Sequence, residues 1–142
     1  MKKEKNVIFL DFDGVLNIKE DDFSASFENP DAIFYLNKLC LETGFDIVVS
    51  SSWRDHINYK KFLYDSGLDE KIKILGKTEN CRCDRAYEIM KYVEDHDIDK
   101  FIIIDDAFFG TEYIPYHVQT ATRLGFTKNK YEEALNKISN LK

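Results

Sequence analysis

Long apolar segments are missing from this 142-residue chain, and residues that break or cross-link a fold are scarce. It has two prolines, six glycines and three cysteines, and hydrophobic residues (44%) alternate with charged ones (32%). The lysine-rich N-terminus leads into a strand of about six residues, too short for a signal peptide or a membrane span. These absences argue against a disordered, fibrous or membrane-embedded protein. We expect a cytoplasmic protein with a single domain over residues 1–142.

The cysteines and the net charge limit which metal sites and nucleic-acid surfaces the chain can form. Cys40, Cys81 and Cys83 cannot all pair, and the Cys81-x-Cys83 spacing lacks the second Cys or His pair of a zinc site. We therefore expect reduced thiols. The net charge of −6 is unfavourable for a broad nucleic-acid footprint, which needs a concentrated basic face.

Apolar periodicity alternates between strands and helices along the chain. Strands are expected at Val7–Phe12, Phe45–Ser50, Ile72–Leu75, Phe101–Ile104 and near Val118. Helices are expected from Pro30, capped by Asn29, to a stop at Gly44, and at Tyr59–Ser66, Arg85–Glu94 and Lys128–Ser139. This order predicts an α/β fold with a mainly parallel central sheet and helices on both faces.

Two carboxylates one residue apart end the first strand and are followed by a glycine. Because a strand alternates its faces, Asp11 and Asp13 can point the same way, out of the carboxyl end of the sheet. Two like charges about 4 Å apart repel by roughly 4 kcal/mol at an effective dielectric constant near 20. The pair therefore needs a cation or a shared proton, which points to chemistry rather than to a structural role.

Polar residues also follow two later strands. These are the run Ser50-Ser51-Ser52-Trp53-Arg54 and the pair Asp105-Asp106. Ligands of open parallel sheets bind outside the carboxyl ends of the strands, so these groups are expected to converge on one crevice. Carboxylate oxygens without histidine suit Mg²⁺, which prefers octahedral oxygen coordination.

The motif Asp11-Phe-Asp-Gly-Val-Leu, a serine after the second strand and a late strand closing on Asp-Asp resemble the haloacid dehalogenase (HAD) superfamily of phosphohydrolases. More narrowly, four segments are similar to small HAD-domain proteins related to the phosphatase modules of RNA-repair proteins. These segments are Phe9–Asn17, Ser50–Arg54, Arg85–Ile89 and His117–Thr120. The resemblance implies a Rossmann-like three-layer α/β/α sandwich and a Mg²⁺-dependent phosphomonoester hydrolase.

The resemblance also implies roles for the acidic residues. Asp11 would attack phosphorus and form an aspartyl-phosphate, and Asp13 would act as general acid and then general base. Mg²⁺ would be held by Asp11, by the backbone carbonyl of Asp13, and by Asp105 or Asp106. Ser51 would bind the phosphoryl oxygens, with Ser50 and Ser52 as alternatives.

The resemblance also implies a basic residue that neutralises the transferred phosphoryl group. Arg85 is our choice because Asp84 can cap its helix and Arg85 then lies in the first turn, where anions are favoured. Lys77, after a predicted strand, and Arg82 are the alternatives. The predicted substrate-binding residues are Gly14, Ser52, Arg54 and Lys77.

The spans around the first two strands are too short for a large cap domain, so we expect an open site. An open site favours a macromolecular phosphate, such as a nucleic-acid end, as substrate. Two alternatives stay open, namely a catalytically weak phosphate- or partner-binding module, and a phosphatase of small metabolites or nucleotides. His56, His96 and His117 are expected to be solvated loop or edge residues.

Overall fold

The computed structural model describes residues 4–18, 27–51, 58–81 and 84–141. Within these ranges lie seven strands, four α-helices and a 3₁₀ turn at Thr111–Tyr113. The strands are β1 (Asn6–Leu10), β2 (Asn17–Ile18), β3 (Phe27–Glu28), β4 (Asp46–Val49), β5 (Ile74–Lys77), β6 (Lys100–Asp105) and β7 (His117–Gln119). The helices are α1 (Pro30–Thr43), α2 (Tyr59–Asp65), α3 (Arg85–Asp95) and α4 (Lys128–Ser139).

Five of the strands form a central sheet in the order β5-β4-β1-β6-β7, and every neighbouring pair is parallel. In register, Leu10 of β1 lies between Val49 of β4 and Ile104 of β6. The first strand in the chain is therefore the middle strand of the sheet, and the carboxyl ends of its two neighbours lie level with its own.

Alternate residues of the strands pack against opposite faces of the sheet, as a period of two requires. Ile8 and Leu10 belong to a core with Leu36 of α1 and Ala134 of α4. Phe9 belongs to a second core on the other face, with Ile89 and Tyr92 of α3. Helices thus cover both faces, which confirms the predicted three-layer α/β fold.

Helix α1 begins with Pro30 and ends before Gly44, which adopts φ +76° and donates its N–H to Cys40 O at 2.8 Å. Both ends match the prediction, but Asn29 does not cap the helix with its side chain. Instead, Asn29 Nδ2 donates to the carbonyl of Leu124, 3.2 Å away, so this side chain ties α1 to the segment before α4.

Two local predictions differ from the structure. The strand expected at Ile72–Leu75 lies at Ile74–Lys77, because its register is set by pairing of Ile74 and Lys77 with β4 across an irregularity in that ladder. No strand was predicted between Phe12 and Pro30, but Asn17–Ile18 pairs antiparallel with Phe27–Glu28. None of the helices in the described part of the chain combines the length and the apolar content needed to cross a membrane.

Candidate active site

The polar strand ends meet at the carboxyl edge of the sheet. The ladder continues past β1, because Asp11 donates its backbone N–H to Ile104 O at 3.1 Å and Ser50 donates its own to Leu10 O at 2.9 Å. Asp11 is thereby held between the end of β6, which carries Asp105, and the residue that follows β4. Parallel pairing of hydrophobic strands thus places these polar residues side by side.

Three carboxylates form a compact cluster at this edge. Asp11, Asp105 and Asp106 each offer an oxygen, and these oxygens all lie within 4.8 Å of one another. Asp11 is only 5% exposed and Asp105 only 1%, whereas Asp106 is half-buried. We call these three residues the carboxylate cluster.

Among the residues that the structure describes, Arg85 is the cation that forms ion pairs with the carboxylate cluster. One guanidinium nitrogen, Nη1, lies 2.7 Å from Asp105 Oδ2 and 3.4 Å from Asp11 Oδ2. The side chain is placed by the start of α3, where Asp84 is the N-cap and its carboxylate accepts the N–H of Tyr87 at 2.8 Å. The predicted cap is therefore present, and it directs Arg85 to the cluster rather than to solvent.

One guanidinium does not balance three carboxylates. Burial, with the nearby charge of Asp105 adding to it, raises the pKa of Asp11 to about 8, although Arg85 acts in the opposite direction. Burial also raises the pKa of Asp105. Removal of a carboxylate from water disfavours its charged form, so the cluster retains a proton unless another cation joins it.

The carboxylate cluster has the composition and spacing of a site for a hard divalent cation. Its donors are all oxygens, they come from a rigid sheet edge, and they carry more negative charge than Arg85 neutralises. Mg²⁺ prefers such ligands. These three residues could therefore hold a metal ion.

The turn after β1 is fitted tightly against Asp106. Gly14 has φ +78°, and a Cβ added to it would lie 2.6 Å from Asp106 Cγ. Thr120 Oγ1 donates to the carbonyl of Gly14 at 2.6 Å, and Thr122 Oγ1 donates to Asp106 Oδ2 at 2.8 Å. Two threonines near the end of β7 thus fix both the turn and the half-buried carboxylate.

A family model for the HAD domain in Swiss Army Knife RNA repair proteins matches residues 7–131. The chain belongs to this family. The matched segment contains all of the carboxylate cluster, Arg85 and the sheet that positions them, and it confirms the resemblance noted on the sequence motifs. Comparisons with curated proteins and with solved structures gave no significant match.

The other residues predicted for the site of this HAD domain do not all belong to the carboxylate cluster. Ser51 is buried beside the end of β4. Asp13 is half-buried and forms an isolated β-bridge with Asn17, and its carboxylate is not part of the cluster. Its predicted metal contact is through the backbone carbonyl, and this contact and the acid–base role both stay predictions.

Lys77 was predicted to follow a strand, but it is the last residue of β5. The side chain is exposed, and its ammonium lies 5.9 Å from the centre of the Tyr59 ring. Of the two candidates for the phosphate-neutralising base that the structure describes, Arg85 and Lys77, Arg85 is thus the one that lies at the cluster. Ser52, Arg54 and the alternative base Arg82 lie outside the described residues.

His117 corrects the expectation that the histidines are solvated. It is 5% exposed in β7, and its Nε2 lies 3.1 Å from the carbonyl of Asp105, which can only accept a hydrogen bond. Burial lowers the pKa of this ring. His117 does lie on an edge strand, because β7 is the last strand of the sheet, but its ring is covered by Phe109, whose ring centre is 4.8 Å away.

Sequence reasoning did not single out the two threonines that support the site. Thr120 lies within the His117–Thr120 segment that carried the family resemblance, which was the available signal. Thr122 carried no such signal. Two further hydroxyls near the ends of β4 and β5, Ser50 Oγ and Thr78 Oγ1, are buried without a hydrogen-bond partner in the described part of the HAD domain.

Proposed function

We propose that this HAD domain is a Mg²⁺-dependent phosphomonoester hydrolase that acts through an aspartyl-phosphate on Asp11. The observation that carries this proposal is the carboxylate cluster, three acids within 4.8 Å of one another, with Arg85 2.7 Å from one of them. Family membership supports the same reaction class.

The proposed metal ligands are Asp11, Asp105 or Asp106, and the backbone carbonyl of Asp13. Bound there, Mg²⁺ would offset the negative charge shared by the carboxylates and a phosphate, so that the two anions can approach each other. Arg85 has donors beyond the nitrogen that faces the acids, and these are available to hold the phosphoryl oxygens. Ser51 is the proposed hydroxyl donor to the same oxygens.

The proposed reaction has two steps. Asp11 attacks phosphorus while the bond from phosphorus to the ester oxygen breaks, and Asp13 gives its proton to the departing oxygen. Asp13 then removes a proton from water, which attacks the aspartyl-phosphate, releases inorganic phosphate and restores Asp11. The carboxylate of Asp11 is held for attack because its Oδ1 accepts the N–H of Phe12 at 2.9 Å while Oδ2 faces Arg85.

The proposed substrate is a phosphate at the end of a nucleic-acid strand. The family description, which names RNA repair proteins, supports this choice. The net charge of −6 makes a long basic track along a strand implausible, so recognition would be confined to the terminal phosphate and its immediate neighbour.

The test is hydrolysis of p-nitrophenyl phosphate and of 5′- and 3′-phosphorylated oligonucleotides, with Mg²⁺ or with a chelator. We expect metal-dependent release of phosphate, and a loss of at least about 1000-fold in Asp11→Asn because the nucleophile is removed. Asp97→Asn is a matched control. Asp97 precedes β6 at the opposite end of the sheet, and its φ of +53° is one that asparagine tolerates. Full turnover by Asp11→Asn would refute the mechanism.

A further inference from the structure

An open cavity of about 640 Å³ adjoins the carboxylate cluster, and four of its ten lining residues are aromatic. Its walls come from the start of α3 and from the connection between β6 and β7. The residues that define this aromatic groove are Arg85, Tyr87, Met90, Phe108, Phe109 and Tyr113.

The aromatic groove and the carboxylate cluster are physically continuous. Arg85 belongs to both, since it lines the groove and its Nη1 contacts Asp105 at 2.7 Å. The other wall starts directly after Asp106, at Ala107. Its beginning is fixed because Ala107 donates its N–H to Asp105 Oδ1 at 2.9 Å. A ligand whose phosphate lies at the cluster therefore has the groove directly beside it.

Two aromatic side chains of the groove face solvent. Phe108 is 62% exposed and Tyr87 is 55% exposed. Phe109 forms the floor, with its ring 6.4 Å from that of Tyr113 and 4.8 Å from that of His117. Single exposed aromatics are ordinary, but several around one cavity next to a cation are typical of a ligand-binding surface.

The charges around the groove indicate which part of a ligand belongs there. Beside Arg85, the charged residues that line the cavity in the described part of the chain are the acids Asp84 and Glu112. Their carboxylates repel a second phosphate but can accept hydrogen bonds from amino or hydroxyl groups. The occupant that fits is planar, uncharged and polar at its edge, which describes a nucleobase.

We infer that the aromatic groove binds the base of the terminal nucleotide while the terminal phosphate lies at the carboxylate cluster. The base stacks on Phe108 or Tyr87, and Arg85 links the two halves of the site. This inference rests on the proposed function, and it adds a recognition surface that the reaction itself does not require.

The experiment compares phosphorylated oligonucleotides that end in a normal nucleotide with matched ones that end in an abasic residue. Stacking of one base on an aromatic ring corresponds to about a tenfold difference in kcat/KM, which we expect to arise mainly from KM. Phe108→Ala or Tyr87→Ala, whichever removes the stacking ring, should abolish this preference, and Phe108→Trp should keep it. Phe34→Ala, which removes an aromatic residue 56% exposed on α1, is the matched control.

A second readout does not depend on turnover. The fluorescence of 2-aminopurine as the terminal base falls when it stacks. With Mg²⁺ present, it should be quenched by Asp11→Asn, which lacks the nucleophile, and this quenching should be lost when Phe108→Ala or Tyr87→Ala is added. Equal kcat/KM for the normal and abasic substrates, or quenching that survives both alanine variants, would overturn the inference while leaving the phosphatase proposal standing. Quenching lost in these variants without hydrolysis of any substrate would refute the phosphatase proposal and support the groove. Base preference confined to free nucleoside monophosphates would overturn the assignment to a strand end.

Discussion

Gly14→Ala tests whether the turn after β1 positions Asp106. Gly14 has φ +78°, and its added Cβ would lie 2.6 Å from Asp106 Cγ and 3.0 Å from Asp106 Cβ. Carbon atoms in contact normally lie about 3.5–4.0 Å apart, so Asp106 must move by roughly 1 Å. The displaced carboxylate would also lose the 2.8 Å hydrogen bond from Thr122.

The expected loss of stability in Gly14→Ala has two parts. A left-handed backbone costs an alanine about 1–2 kcal/mol. Loss of the bond between Thr122 and Asp106 adds about 1 kcal/mol, which is below the range of about 1.5–3 kcal/mol for charged groups because Asp106 is only half-buried. We expect Gly14→Ala to lower the free energy of unfolding by about 2–3 kcal/mol. Because Mg²⁺ ligands must lie about 2.0–2.1 Å from the ion, a shift of 1 Å should weaken metal binding at least about tenfold.

Gly44→Ala is a matched control for this variant. Gly44 has nearly the same φ, +76°, but an added Cβ would meet nothing within 4 Å. Urea unfolding should therefore show that Gly44→Ala lowers the free energy of unfolding by about 1–2 kcal/mol. A titration should show the same affinity for Mg²⁺ as in the wild type. If the two glycine variants were equally destabilised and bound Mg²⁺ like the wild type, the packing of Gly14 against Asp106 would have no functional role.

Three other predictions concern single side chains. Arg85→Ala should lower turnover of p-nitrophenyl phosphate at least about 100-fold, whereas Lys91→Ala, which removes another ion-paired cation of α3, should leave it within about threefold. Comparable losses in a steady-state assay would contradict the role of Arg85. Without metal, the melting temperature should fall as the pH rises from about 4 to 8. Folded Asp11, with its pKa raised to about 8, holds a proton that the unfolded chain has already released, and Asp11→Asn should flatten this dependence in a thermal scan. Cys40, buried and with its pKa raised to about 12, should react with iodoacetamide at least about tenfold more slowly than the half-buried Cys81, and equal rates by mass spectrometry would show that the helix α1 face opens readily.

Elements with a strong local pattern could be predicted from the sequence. Helix α4 has the predicted bounds Lys128–Ser139, since Thr127 caps it by accepting the N–H of Lys130 and its apolar residues recur at helical spacing. The edge strand β5 was displaced by two residues because its extent depends on β4 and not on its own sequence. The two-residue strands β2 and β3 have too few residues to give a periodic signal.

The candidate site was predictable where the topology alone brings residues together. The alternation of strands and helices predicted that Asp11, Asp105 and Asp106 lie at the same edge of a parallel sheet, and the pairing of β1 with β6 in the structure brings them together. The contact of Thr120 with Gly14 joins residues 106 positions apart, and no local pattern encodes it. The burial of His117 likewise depends on which strand lies beside β6.

Asp105 and Asp106 lie at the junction between a strand of the central sheet and a connection outside that sheet. The acids lie where β6 leaves the sheet, and residues 107–116 that follow reach β7 without belonging to the central sheet. If the proposed function holds, replacing that ten-residue connection with the one from a related protein would change which ligand is bound, whereas the proposed catalytic acids would stay at the edge of the sheet. Residues 107–116 thus form a segment that can be exchanged by design, and it begins at the residue after Asp106.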